Sequence, residues 1–112
     1  MDVCYARIGN ETQDIEIQIS KCIEFASEKG HTFNKIYKDI GSGLNWDRDG
    51  LKQLMSDIDN IKSITVRDQC RLFRDYKKLL EFLEICKSKE IKVYTVDGVL
   101  ENGFNPLLSI FD

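Results

Sequence analysis

Apolar positions along the chain switch between the period of a strand and the period of a helix. Val3-Cys4-Tyr5-Ala6-Arg7-Ile8 is a short run suited to a buried strand. After the loop Gly9-Asn10-Glu11-Thr12, a helix is expected from Gln13 to Lys29, with Ile15, Ile19, Cys22, Ile23 and Ala26 on its inner face and Gly30 as its stop. Phe33 to Ile40 reads as a second strand, ended by the turn-rich Gly41-Ser42-Gly43 and the exposed-looking Leu44-Asn45-Trp46. Arg48 to Asp59 places Leu51, Leu54, Met55 and Ile58 on one helical face, with Asp47 as N-cap. A third strand, Lys62 to Val66, leads through the polar stretch Arg67 to Arg71 into a helix from about Asp75 to Lys89, with Leu79, Leu80, Leu83 and Cys86 inward. Ile91 to Val96 is a fourth strand.

This alternation predicts an α/β fold: three layers, with a mostly parallel sheet of four to five strands and helices on both faces. In such sheets the loops leaving the carboxyl ends of the strands share one edge. Here those loops carry Gly9, Ser42 to Arg48, and Cys70 to Arg74. The 112 residues, 42% of them hydrophobic, suffice for one core, so residues 1–112 are read as a single domain.

Acidic residues exceed basic ones by three, so contact with a polyanion would depend on a local basic patch. Cys4, Cys22, Cys70 and Cys86 form no CxxC pair and His31 is the only histidine, which argues against a metal site. No run of eighteen apolar residues and no N-terminal apolar leader is present, so the expectation is a cytoplasmic protein with reduced thiols and no membrane contact. Cys4, Cys22 and Cys86 read as core, His31 as a surface turn residue, and Lys77, Lys78, Lys87, Lys89 and Lys92 as a solvated face. Trp46 reads as a cover for the second helix, with base stacking or packing against a partner as the alternatives.

The arginines admit two readings. In one, Arg48, Arg71 and Arg74 are solvent-exposed charges paired with Asp47 and Asp75. In the other, their planar forks converge with Arg7 on a phosphodiester and stabilise the charge of a pentacoordinate transition state.

Five motifs in order bear on that choice: Tyr5-Ala6-Arg7-Ile8-Gly9; Gln13 and Gln18; Gly41-Ser42-Gly43; Asp47-Arg48 with Gly50-Leu51; and Arg71-Leu72-Phe73-Arg74-Asp75. Together they resemble the resolvase/invertase family of serine recombinases, from about Val3 to Gly98. The resemblance implies DNA strand exchange through a covalent phosphoserine link, within a tetramer and without metal or nucleotide cofactor. It further implies that Arg7, Arg48, Arg71 and Arg74 clasp the scissile phosphate, that Gln13 and Gln18 organise the loop, and that Ser42 supports it.

Two positions depart from the family pattern. Its nucleophilic serine follows the Tyr-x-Arg-hydrophobic run, where this chain has Gly9, and Cys70 stands where the family has an aspartate. Thr12 lies too far along the loop to replace the nucleophile. Cys70 reads as a semi-buried filler or, beside arginines, as a reactive thiolate. The segment after Asp97-Gly98, with Phe104, Pro106, Leu107, Leu108, Ile110 and Phe111, is read as lacking the long helix and DNA-binding domain of such recombinases. It would close the domain's own core or form a homodimer or hetero-oligomer with a full-length recombinase.

The resulting expectation is a resolvase-like recombinase domain that binds phosphate without cleaving it and acts as an interaction or regulatory module, with weak DNA binding or binding through a partner recombinase. The alternative is the catalytic domain of a genuine serine recombinase, active in DNA strand cleavage and exchange, truncated and carrying a Ser-to-Gly change.

Overall fold

In a computed structural model of the chain, the described residues are 1–9, 14–41 and 48–97. The elements run β1 (Asp2–Ile8), α1 (Ile15–Glu28), β2 (Lys35–Ile40), α2 (Asp49–Ser56), a 3-10 turn (Ile58–Asn60), β3 (Ser63–Val66), α3 (Gln69–Leu72), α4 (Tyr76–Ser88) and β4 (Lys92–Thr95). Four parallel strands lie in the order β2-β1-β3-β4. The chain therefore winds outward in both directions from the β1/β3 junction, and the carboxyl ends of those two strands form the crevice where α/β sheets place ligands.

Strand alternation assigns the two faces. Val3, Tyr5 and Arg7 of β1 register with Lys35, Tyr37 and Asp39 of β2, and Val3 with Ile64 of β3, so these share one face. The main apolar cluster is built there, from Tyr5, Tyr37, Ile64, Val66 and Val93 against Leu51 and Leu54 of α2, Leu72 of α3 and Leu79, Phe82, Leu83 and Cys86 of α4. The opposite face presents smaller residues, Cys4, Ala6 and Thr65, all buried. Helix α1 covers it with Ile19, Cys22 and Ala26, and Phe25 meets Tyr94 of β4 at 6.4 Å between ring centroids. The α/β architecture with helices on both faces is as expected, and the described sheet has four strands.

Helices α1 and α4 begin on their own aspartates. Asp14 accepts from the Glu16 N–H at 2.9 Å, and Asp75 from those of Lys77 and Lys78 at 3.0 and 3.4 Å. Helix α2 begins differently. Its cap residue is Arg48, which makes no side-chain cap bond, and its first N–H groups donate instead to Asp39 on β2: Gly50 N to Oδ1 and Leu51 N to Oδ2, each at 2.8 Å. Gly50 permits this approach, because a Cβ there would meet the Lys38 carbonyl oxygen at 2.5 Å.

Several expectations need correction. Asp47 lies outside the described residues, and Arg48 and Asp39 fill the capping role assigned to it. The second helix stops at Ser56 and gives way to the 3-10 turn, and the stretch read as an irregular loop before Arg71 contains α3. Ile23 is not on the inner face of α1 but 48% exposed, because a single helix cannot span the sheet and its flank faces the edge strand β2, whose Ile36 and Ile40 are also exposed.

Candidate phosphate-binding site

Where β1 and β3 end, their pairing stops. The two strands register from Asp2↔Ser63 to Cys4↔Thr65, so beyond that point the β3-facing backbone groups of β1 need other partners. Gln18 of α1 supplies them at Arg7: its Oε1 accepts from the Arg7 backbone N–H at 3.0 Å and its Nε2 donates to the Arg7 carbonyl at 3.1 Å. The same carbonyl accepts from Nη1 of Arg71 at 3.0 Å. A buried glutamine thus continues the ladder that the strand abandons, which fixes the peptide carrying Arg7. The small residues of β1 and α1 on this face let the helix come close enough for that reach.

The Arg7 side chain points to the other face and is 3% exposed. Its Nε donates to the Arg71 carbonyl at 3.1 Å, Nη2 to the Cys70 carbonyl at 2.6 Å and Nη1 to the Gly41 carbonyl at 2.5 Å. Gly41 itself sits at φ +152°, a backbone region that side chains disfavour, and its N–H donates to the Ile8 carbonyl at 2.8 Å. Burial lowers the pKa of Arg7 from the ordinary arginine value, and the charges of Arg71 and Arg48 lower it further.

Arg48 is equally buried, also 3% exposed. Its guanidinium lies between the rings of Tyr5 and Phe73, 5.5 and 5.4 Å from their centroids. Nη1 donates to the Arg71 carbonyl at 3.3 Å and Nη2 to that of Leu72, while Nε has no hydrogen-bond partner among the described residues. Burial lowers this pKa too, against the opposing pull of Tyr5 and Asp39. Asp39 is the hub that sequence reading missed: besides capping α2, its Oδ2 accepts from the Tyr5 hydroxyl at 2.7 Å. Burial and that bond raise the Tyr5 pKa, keeping the phenol protonated. An aspartate between lysine and isoleucine in a strand pattern gives no local sign of such a role. Its partners lie 11, 12 and 34 residues away.

Arg71 is part-exposed and pairs with Asp68 at 3.4 Å. It also borders a cavity of about 180 Å3 lined by Ile8, Gln18, Lys21 and Arg67 among others. Arg74 is exposed, near enough to add to the positive field on Arg7. Gly9 is exposed directly beyond β1. The structure therefore gathers Arg7, Gly9, Gln18, Arg48 and Arg71 at one sheet edge, with Arg74 close by, whereas Gln13 and Ser42 lie outside the described residues.

Two corrections concern this region. Arg48 is buried rather than solvent-exposed, enclosed by aromatic rings and carbonyls, and the Asp47 of that reading lies outside the described residues. Cys70 is exposed rather than semi-buried, and what it offers Arg7 is its carbonyl. Among the described residues no group of three or more histidine, cysteine or acidic side chains could hold a metal ion, and no helix is long and apolar enough to cross a membrane.

The family model for the resolvase N-terminal domain matches residues 3–106. A resolvase from Clostridium perfringens is 26% identical over 113 residues, covering 96% of this chain; the chain spans 58% of that relative's length. The C-terminal catalytic domain of ISC1926 TnpA, an IS607-like serine recombinase, superposes with a TM-score of 0.80 at 29% identity, covering 85% of this chain and 69% of the other. The N-terminal catalytic domain of TP901-1 integrase, at 21% identity, shares the fold with a TM-score of 0.81 over 96% of this chain and 91% of the other.

Proposed function

The chain belongs to the resolvase family, as its N-terminal domain, and on that premise we propose that it grips a DNA phosphodiester through Arg7, Arg48, Arg71 and Arg74 without cleaving it. One observation carries this reading. Three arginines meet at the β1/β3 crevice, and Arg7 has no carboxylate among its described hydrogen-bond partners, only carbonyl dipoles and other arginines. Such concentrated positive charge is costly in itself and is complemented by an anion. Arg71, the part-exposed member of the three, is where that anion would approach.

Cleavage needs an attacking oxygen at the end of β1, and Gly9 has none. The exposed thiol of Cys70 does not restore it: the aspartate the family places there would orient arginines, not attack phosphorus. The described site requires neither a metal nor an organic cofactor for phosphate binding. The domain, read as one unit over residues 1–112, would then serve as an interaction or regulatory module, with DNA and a partner recombinase or a second copy as its partners. The alternative, the catalytic domain of a genuine serine recombinase carrying a Ser-to-Gly change, draws on the same arginine geometry.

Restoring the oxygen separates these readings. Gly9→Ser, alone and with Cys70→Asp, is incubated with supercoiled DNA and the products are resolved under denaturing conditions. A covalent protein–DNA adduct would indicate a site intact apart from its nucleophile. No adduct from either variant would favour a domain that has moved away from strand exchange.

A further inference from the structure

Helix α3 is only four residues long and would leave its C-terminal carbonyls unpaired. Those carbonyls are taken by the two buried arginines. Cys70 O accepts from Arg7, Arg71 O from both Arg7 and Arg48, and Leu72 O from Arg48. Cations at the negative end of a helix are well placed, and here two come from distant elements, β1 and the start of α2. The turn also carries Arg71, whose Nη1 returns to the Arg7 carbonyl, so each part holds the other. Backbone bonds also tie the ends of the turn, from Arg71 N to Asp68 O at 3.1 Å and from Phe73 N to Gln69 O at 3.2 Å.

The same N–H groups cannot point at carbonyls of α3 and at phosphate oxygens. Arg7 gives Nε and Nη2 to carbonyls of α3 and Nη1 to that of Gly41, and Arg48 gives both terminal nitrogens to α3; each terminal nitrogen keeps a second N–H, but both side chains are almost wholly buried, so an anion reaches them only if the turn moves. We infer that the Gln69–Leu72 turn is a latch: it holds the guanidinium donors of Arg7 and Arg48, and an anion that reaches them takes these donors over and releases the turn. This inference rests on the phosphate-binding reading above. It adds that anion binding is coupled to a local opening of the segment between β3 and α4. Arg71 is the arginine placed to meet the anion first, because it is part-exposed while Arg7 and Arg48 are almost wholly buried.

The test uses the native chain, labelled with 15N and titrated with inorganic sulfate. The Nε–H resonances of Arg7 and Arg71 and the Phe73 amide should move with one midpoint. Hydrogen exchange at Phe73 should rise about tenfold at saturation, while the Tyr5 and Ile64 amides stay protected. Arginine resonances that move while Phe73 exchange stays constant would overturn the latch and leave the phosphate reading standing. No arginine response at any sulfate concentration would overturn both. In Arg48→Lys, which keeps the charge but loses the fork, Phe73 exchange should already be raised without sulfate; unchanged exchange there overturns the latch whatever sulfate does.

Discussion

The two faces of the sheet do different work with different materials. The face under α2, α3 and α4 buries large side chains, among them Tyr5, Leu54, Phe73 and Phe82, and sets Arg7, Arg48 and Asp39 at their margin. The face under α1 carries the smaller Cys4, Ala6 and Thr65 at its centre, with Ile8 and Tyr94 beside them, and ends in the exposed isoleucines of β2. The thick face supplies stability and encloses the guanidinium groups. The thin face lets α1 approach, so that Gln18 reaches the Arg7 peptide from behind. The site therefore depends on both, but in unequal measure, and substitutions on each should reveal the inequality.

The largest effect is expected in the thick layer. Leu54→Ala removes a fully buried side chain and should cost about 4 kcal/mol in chemical denaturation; a loss below about 1 kcal/mol would show that this layer collapses around the gap. Asp39→Ala comes next, since it strips the α2 N-terminus of its acceptor and leaves the Tyr5 hydroxyl without one. A loss of about 3 kcal/mol is expected, together with weaker sulfate binding because Arg48 is no longer held. If stability falls while sulfate affinity is unchanged, Asp39 supports the fold alone.

On the thin face the effects shrink. Gln18→Ala should cost about 2 kcal/mol, with the disturbance in amide spectra concentrated at Arg7, whose N–H and carbonyl both lose their partner. Ile36→Thr, at the exposed edge, should change stability by less than about 0.5 kcal/mol. A larger loss there would mean that the thin face is covered in solution, which sedimentation of the native chain would then show as a dimer.

The contrast between the faces also explains what the sequence could reveal. Helices α1 and α4 carry apolar positions at helical spacing and start on aspartates that cap their own first turn, so their existence was legible from neighbouring residues. The crevice was legible as a place, because strand alternation puts the loops of Gly9, Gly41 and Cys70 on one edge. Its internal geometry was not. Asp39 caps a helix ten residues on, Gln18 replaces a missing strand, and Arg7 bonds carbonyls 63 and 64 residues away, contacts that only the register of β1, β2 and β3 creates. Motif resemblance named the arginines without saying that two of them are buried. Helix α3 escaped notice because four residues are too few to show a period.

The central claim is that this domain holds a phosphodiester and leaves it intact. Its most direct test is a denaturing gel and mass spectrum of the native chain after prolonged incubation with supercoiled DNA, beside Gly9→Ser/Cys70→Asp under the same conditions. The native chain is expected to give neither nicked DNA nor a protein–DNA adduct. A peptide recovered from the native chain with a DNA phosphate bonded to it, through the Cys70 sulfur, the Thr12 oxygen or any other side chain, would contradict the account.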